Sequence, residues 1–264
     1  MYPFDYVRAA SIEDAVLAAL RTSGSRFLAG GMTLVPILKQ RLVNPTQLID
    51  LDRLAGLRFI LADADGIRIG ALTTHDAVAR SDLVRQALPS LAALVAGIGD
   101  PQVRHRGTLG GALATNDPSG DYVAAALALA ATIVTDRRRI AAEDFFLGMF
   151  ETALAPDELI TEVVFPIPTR AGYAKFEQLA SRYALVAVMA AATAAGPRVA
   201  VIGAAPCAFR LPALEAALGD GWTATAADGL TVDPDRLSSD IRGSAEYRAH
   251  LVGVLARRAI ADAG

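Results

Sequence analysis

The chain has 264 residues, a formal charge of −3 at pH 7, 53% hydrophobic and 20% charged residues, and one cysteine. The apolar fraction excludes a mainly disordered chain. The near-neutral balance argues against broad nucleic-acid or acidic-membrane binding, which needs a basic face. One cysteine excludes an intrachain disulfide framework and any iron–sulfur cluster held by four cysteines of this chain.

The length fits one large domain or two to three small ones. The start, residues 1–8, lacks the apolar run of a secretory signal. The longest apolar stretches, 122–135 and 184–196, fall short of the ~18–20 residues needed to span a bilayer. A cytoplasmic protein without a membrane span is therefore expected.

In chain order, the first fifty residues predict a β-α-β-α-β unit. Ser11 followed by Asp14 resembles a capping box. Ile12, Ala15, Val16, Ala19 and Leu20 then mark one helical face. Residues 26–29 predict a strand running into Gly30-Gly31. Residues 34–42 have helical spacing, with Pro36 tolerable in the first turn if Thr33 is the N-cap. Residues 48–51 predict the next strand. Residues 59–70 predict a hairpin turning at Asp65-Gly66. Helices are expected over 76–80 and 82–98, then a polar connection over 100–108 and a second glycine pair, Gly110-Gly111. An alanine-rich helix from Tyr122 and strands at 132–135 and 159–166 follow. The last third predicts strands at 173–179, 184–190 and 199–203 and helices at 212–218 and 245–261. Pro166 and Pro168 mark a boundary before it.

The two glycine pairs carry the chemistry. Adjacent glycines let backbone amides face outward, and amides at a helix start attract anions. Two such loops face to face would hold a diphosphate without lysine, with Thr33 and Thr108 adding hydroxyls. Read singly, each pair is an ordinary tight turn. Neither fits G-x-G-x-x-G or the phosphate loop ending in G-K-[ST]. His75, His105 and His250 form no metal motif. No nucleophile–base–orienter pattern is present, so no catalytic residue is assigned. The Arg104-His105-Arg106 patch reads as a solvated loop, with phosphates or a partner as the functional reading. Cys207 reads as a buried small hydrophobe.

With their flanks the pairs become specific. Phe27-Leu-Ala-Gly-Gly-Met-Thr-Leu34 and the stretch from Ile98 to Asp121, with Thr108-Leu-Gly-Gly-Ala112 at its centre, resemble the FAD-binding medium subunit of molybdenum hydroxylases, such as aerobic carbon monoxide dehydrogenase. The FAD domain of xanthine dehydrogenase is a relative. Ile69-Gly-Ala-Leu-Thr-Thr-His75, Ala142-Glu-Asp-Phe-Phe-Leu-Gly148 and Asp240-Ile-Arg-Gly-Ser-Ala-Glu-Tyr-Arg248 extend the resemblance over nearly the whole chain.

The resemblance implies an α+β protein with a two-subdomain FAD-binding fold of the vanillyl-alcohol-oxidase (PCMH) type. Residues 1–166 would bind FAD, divided into an α/β subdomain (1–53) and a mixed subdomain (54–166). Residues 167–264 would form a C-terminal domain of antiparallel sheet plus helices. It implies FAD contacts from Phe27, Leu28, Ala29, Gly30, Gly31, Met32, Thr33 and Leu34, and from Thr108, Leu109, Gly110, Gly111 and Ala112. Asp121 would accept bonds from sugar hydroxyls; by itself it reads as an N-cap. The backbone of Leu159 or Ile160 would approach the isoalloxazine, where sequence alone suggests core strand. Lys175 and Tyr183 align with the segment beside the flavin, but Arg182 stands where many members carry an acidic residue. Tyr183 otherwise reads as a core tyrosine.

The implied partners are a small 2Fe–2S subunit and a large molybdopterin subunit in a dimer of heterotrimers. The chain's role would be electron transfer from the clusters to an external acceptor. The alternative is a self-sufficient FAD-dependent oxidoreductase with its own small organic substrate.

Overall fold

A computed structural model describes residues 1–263. The N-terminal unit runs β1 (Asp5–Arg8), α1 (Ile12–Arg21), β2 (Arg26–Leu28), α2 (Leu34–Lys39) and β3 (Gln47–Asp50). Its three strands are parallel in the order β1-β3-β2, as the β-α-β-α-β pattern requires. Ser11 caps α1 by accepting from the Asp14 amide. Thr33 precedes α2, but its hydroxyl makes no capping bond because the residue is itself helical.

The middle section contains β4 (Ile60–Asp63) and β5 (Gly66–Gly70), then the helices α3 (His75–Arg80), α4 (Asp82–Ala87), α5 (Pro89–Ala96), α6 (Pro101–Arg106), α7 (Leu109–Thr115) and α8 (Asp121–Ala128). Then come β6 (Thr132–Thr135), β7 (Arg139–Ala141), α9 (Ala142–Phe145), β8 (Phe146–Gly148), β9 (Glu151–Thr152) and β10 (Ile160–Phe165). An antiparallel sheet in the order β4-β5-β10-β6-β7 carries this section.

The sequence expectations need four corrections here. The β4–β5 turn is Ala64-Asp65, because Gly66 already pairs with Asp63. The helix expected over 82–98 is two helices, since Pro89 has no amide to continue the first and starts the second. The polar connection is α6, capped by Asp100 accepting from the Val103 amide with Pro101 at the first helical position. Asp121 is not an N-cap: Gly120 holds that place and Asp121 is the first helical residue.

The last third has β11 (Arg170–Glu177), β12 (Ala184–Thr193), β13 (Gly196–Ile202) and β14 (Phe209–Arg210) in one antiparallel sheet, with α10 (Pro212–Asp220) and α11 (Ala245–Ala261). Strand β12 is buried from Ala184 to Ala191, because α8 covers one face of the sheet and α11 the other. A strand covered on both faces reads as a continuous apolar run. Cys207 is exposed, not buried; it lies in the bend between β13 and β14, outside the sheet.

One core therefore joins the middle sheet, the helices and the inner face of the last sheet, from Ile67 and Phe145 to Met189 and Ile202. A second lies between that sheet and α10 and α11. A third belongs to the N-terminal unit and reaches Leu72 and Leu159.

A buried carboxylate closes the β6–β7 turn. Glu158 accepts from Arg138, from the Thr135 hydroxyl and from the Ala155 amide. The Arg138 hydrogen bond leads in lowering its pKa from 4.5 to about 2. A depressed carboxylate stabilises the fold above its unfolded pKa and loses that contribution as pH falls through the folded value. Glu158→Gln is expected to lose about 1–2 kcal/mol at pH 7, discounted because Arg138 is half-exposed. The gap to the parent should close between pH 4.5 and about 2, as read by chemical denaturation at stepped pH. A gap constant down to pH 2 would refute the role.

Candidate functional site

Three backbone segments meet at the glycine pairs. The first runs from β2 through Ala29, Gly30 and Gly31. The second, residues 71–75, leaves β5 and lies beside the third, residues 106–110. The Gly110 amide donates to the Ala71 carbonyl (2.8 Å), Leu109 to Thr73 (3.1 Å) and His75 to Gly107 (2.9 Å), and Thr74 bridges Thr108.

The first loop packs directly on the third. A Cβ on Gly30 would lie 1.8 Å from the Arg106 carbonyl oxygen and 3.1 Å from the Gly107 Cα. A Cβ on Gly111 would lie 3.7 Å from that of Ala29. Sequence expectation thus brings the two loops together, and the structure places them in contact.

Their donor sets differ. Among the described residues, the amides of Gly30, Gly31, Met32, Thr33 and Leu34 donate to no protein acceptor. Gly31 adopts φ 79°, which glycine reaches at little cost. The second loop is mostly spent on the fold: Leu109 and Gly110 bond the 71–75 segment, and Gly111 bonds the Thr108 hydroxyl (3.3 Å). Leu109 points into the core, and Gly110 is glycine because a Cβ there would lie 2.6 Å from that of Ala71. The picture of two equivalent amide cradles is corrected accordingly. One row of free amides lies beside a loop whose amides from Leu109 to Ala112 are all bonded within the protein.

A cavity of about 240 Å³ opens here, lined by Ala29, Gly30, Thr74, Arg106 and Thr108, with Asp52 and Arg58 at one side. Arg58 is held by Asp52 (2.8 Å). Arg106 forms no salt bridge among the described residues. His105 is exposed and contacts Asp76 and the Pro101 carbonyl.

The second half of the site gathers around Asp121. Its Oδ1 accepts from Lys175 Nζ (2.8 Å) and from the Tyr173 hydroxyl (2.5 Å), and Lys175 also donates to the Gly97 carbonyl (3.3 Å). Oδ2 makes no hydrogen bond to the described residues. Burial raises the Asp121 pKa, against the opposing pull of Lys175 and Tyr173. Tyr183 is half-exposed rather than a core tyrosine, because it sits at the tip of the β11–β12 connection. Burial, then the carboxylates of Asp117 and Asp121, raises its phenol pKa, which places it near both. Arg182 adopts φ 61° in the same tip.

Two candidates do not present free groups. Leu159 is buried, and its amide and carbonyl both bond Asp136. Ile160 is buried in the middle sheet and paired with Thr135. Phe27, Leu28 and Ala29 are half-buried at the end of β2, and Met32 and Thr33 are exposed.

Sequence reasoning assigned no role to the 71–75 segment, although its motif was visible at Ile69 to His75. Asn116 was also passed over. It caps α7 in the left-handed conformation (φ 45°), a conformation asparagine favours. Its side-chain amide donates to the Gly148 and Glu151 carbonyls, which ties the β8–β9 hairpin to the loop helix.

An amide row, a neighbouring cationic cavity and a buried carboxylate with an open oxygen suit a dinucleotide with sugar hydroxyls, the parts of a flavin cofactor. The comparisons agree. The model of the FAD binding domain in molybdopterin dehydrogenase matches residues 2–168, and the chain belongs to that family.

The nicotine 6-hydroxylase medium subunit of Paenarthrobacter nicotinovorans is 38% identical over 98% of this chain and 96% of its own length. The carbon monoxide dehydrogenase medium chain of Afipia carboxidovorans is 37% identical over 97% of this chain and 95% of its own. A solved structure, reconstituted CO dehydrogenase from Oligotropha carboxidovorans, superposes with a TM-score of 0.92 at 33% identity, covering 100% of this chain and 99% of that one. The chain is thus an FAD-binding oxidoreductase component, of the medium-subunit kind found in molybdenum hydroxylases. No helix among the described residues is long and apolar enough to cross a membrane.

Proposed function

We propose that the chain is the electron-transfer flavoprotein subunit of a molybdenum hydroxylase, taking electrons from a 2Fe–2S subunit and passing them to an external acceptor. The observation that carries the cofactor placement is the row of unpartnered amides from Gly30 to Leu34. Amides without a protein acceptor that lie beside a cavity are available to an anionic ligand. This row would hold the diphosphate, with Arg106 as counter-charge. Oδ2 of Asp121 would accept from a sugar hydroxyl, with Lys175 holding that carboxylate in place. Tyr183 would contribute an aromatic ring beside the flavin. Bound FAD supplies one- and two-electron redox chemistry.

The chain's own groups bind and orient the cofactor; none of them is needed as an acid or base for electrons to enter. The chain has one cysteine, so four-cysteine cluster ligation must come from another polypeptide. A small 2Fe–2S subunit and a large molybdopterin subunit, assembled as a dimer of heterotrimers in the cytoplasm, complete the reading.

Arg106→Ala tests the placement, because its side chain lines the cavity and forms no hydrogen bond or salt bridge among the described residues. FAD affinity should fall about tenfold with an unchanged melting temperature, the loss of one charge-assisted hydrogen bond. Unchanged affinity would move the diphosphate elsewhere. For electron transfer, the flavin of the isolated chain should stay oxidised with small organic reductant substrates. It should bleach when the partner subunits and their substrate are added. Reduction by an organic substrate without partners would establish the self-sufficient oxidoreductase instead.

A further inference from the structure

We propose that His75 and Tyr122 form one buried polar latch that positions the Gly107–Thr108 turn against the start of α8, and so sets how tightly the chain holds the dinucleotide. The inference rests on the FAD reading above and goes on to residues that reading does not use.

His75 Nδ1 and the Tyr122 hydroxyl are both buried without a hydrogen-bond partner among the described residues. The two rings are neighbours, with centroids 5.4 Å apart and planes tilted by 50°. More than nine in ten buried polar groups are paired, and an orphan calls for an explanation such as an ordered water. Two orphans on adjacent rings share one explanation. A neutral imidazole carries one donor and one acceptor nitrogen, and a phenol can both donate and accept. Because the two rings are neighbours but not directly bonded, one ordered water can satisfy both groups at once. The imidazole is neutral, its pKa lowered to about 4 first by burial and then by the Arg104 guanidinium.

Their positions give the pair its leverage. The His75 amide donates to the Gly107 carbonyl (2.9 Å), and its ring lies flush on Gly107, where a Cβ would stand 2.5 Å from Nε2. Gly107 precedes Thr108. Tyr122 follows Asp121, and its ring is part of the core beneath α8. A water-bridged link between the rings thus fixes the spacing between the Gly107–Thr108 turn and Asp121. His75 and Tyr122 act through those groups and are positioning residues.

The test uses the chain isolated with its native partner subunits, stripped of flavin and titrated with FAD. Tyr122→Phe removes one oxygen and keeps the ring; His75→Phe removes both nitrogens; His75→Asn keeps a donor and an acceptor near the Nδ1 position. Ser90→Ala deletes another buried unpartnered hydroxyl, on α5, and is the control. Tyr122→Phe and His75→Phe should each weaken FAD binding about tenfold, the scale of one buried hydrogen bond. The double variant should be no weaker than the weaker single. His75→Asn should recover most of the affinity, and Ser90→Ala should change nothing.

Tyr122→Phe holding FAD within twofold of the parent would overturn the latch, as would a double variant in which the two losses multiply. If His75→Phe does not fold, Tyr122→Phe and His75→Asn decide alone. A parent chain that takes up no FAD overturns the cofactor reading and the latch together, whereas variants that bind like the parent overturn the latch only.

Discussion

Gly30→Ala is expected to lose the fold around the site, and not merely the cofactor. The added Cβ would stand 1.8 Å from the Arg106 carbonyl oxygen and 2.6 Å from its carbonyl carbon. Both atoms are backbone, at the end of α6 and immediately before the segment that pairs with residues 71–75, so neither can rotate away. One methyl therefore forces two loops apart, at a cost at or above the ~3 kcal/mol upper range for overpacking. That corresponds to a melting temperature lower by roughly 6–12 °C for a chain of this size.

Gly110 belongs to the same class, because its Cβ would stand 2.6 Å from that of Ala71 and 2.9 Å from the Ala71 carbonyl oxygen. Gly111→Ala is the contrasting case. Its only approach under 3.0 Å is the Thr108 hydroxyl, the free end of a side chain that can turn. Gly111→Ala should melt close to the parent, so an FAD deficit there reports on the ligand. Thermal melting of the three variants side by side checks the ordering. Gly30→Ala melting like the parent would refute the loop-on-loop packing.

From sequence alone, both glycine pairs read as places where phosphate comes close to backbone. That inference sees only that a Cβ is missing, not which neighbour forbids it. At Gly30 and Gly110 the neighbour is the protein, supplied by Arg106 and Ala71, both distant in sequence. The legible parts were local. The β-α-β-α-β start and α11 follow from apolar spacing and caps within ten to twenty residues. Helix α6 had its signals too, Asp100 as cap and Pro101 at the first position, but a short polar helix gives no apolar period to notice.

Lys175 and Asp121 show the other limit. Each was singled out, yet nothing in the chain announces that residues 54 positions apart share one buried ion pair. Tyr183 has an ordinary strand-end context, and nothing local shows that its hairpin tip lies near enough to Asp117 and Asp121 for their charges to act on its phenol. Leu159, conversely, has its backbone groups taken up by Asp136, a bond no local pattern encodes.

Lys175→Met carries the other large expected effect. The pair is nearly closed to solvent, with side-chain exposures of 9% and 6%, so deleting the ammonium leaves a carboxylate buried with the Tyr173 hydroxyl as its remaining donor. Breaking such a pair from one side costs about 3–5 kcal/mol. The sign of the pH dependence follows from the direction of the Asp121 shift. Burial already raises its pKa above 3.8, and loss of Lys175 raises it further. A raised folded pKa contributes stability that is present below the unfolded value and is lost as pH climbs through the folded one. Lys175→Met should therefore melt closer to the parent at pH 4 than at pH 8. Lys175→Met combined with Asp121→Leu should regain much of the stability, since no charge is then left buried. It should still bind FAD weakly, because the oxygen offered to the sugar is gone. Stability and cofactor affinity would separate in one protein. If the double variant recovered both, Asp121 would be a structural partner of Lys175 with no part in holding FAD.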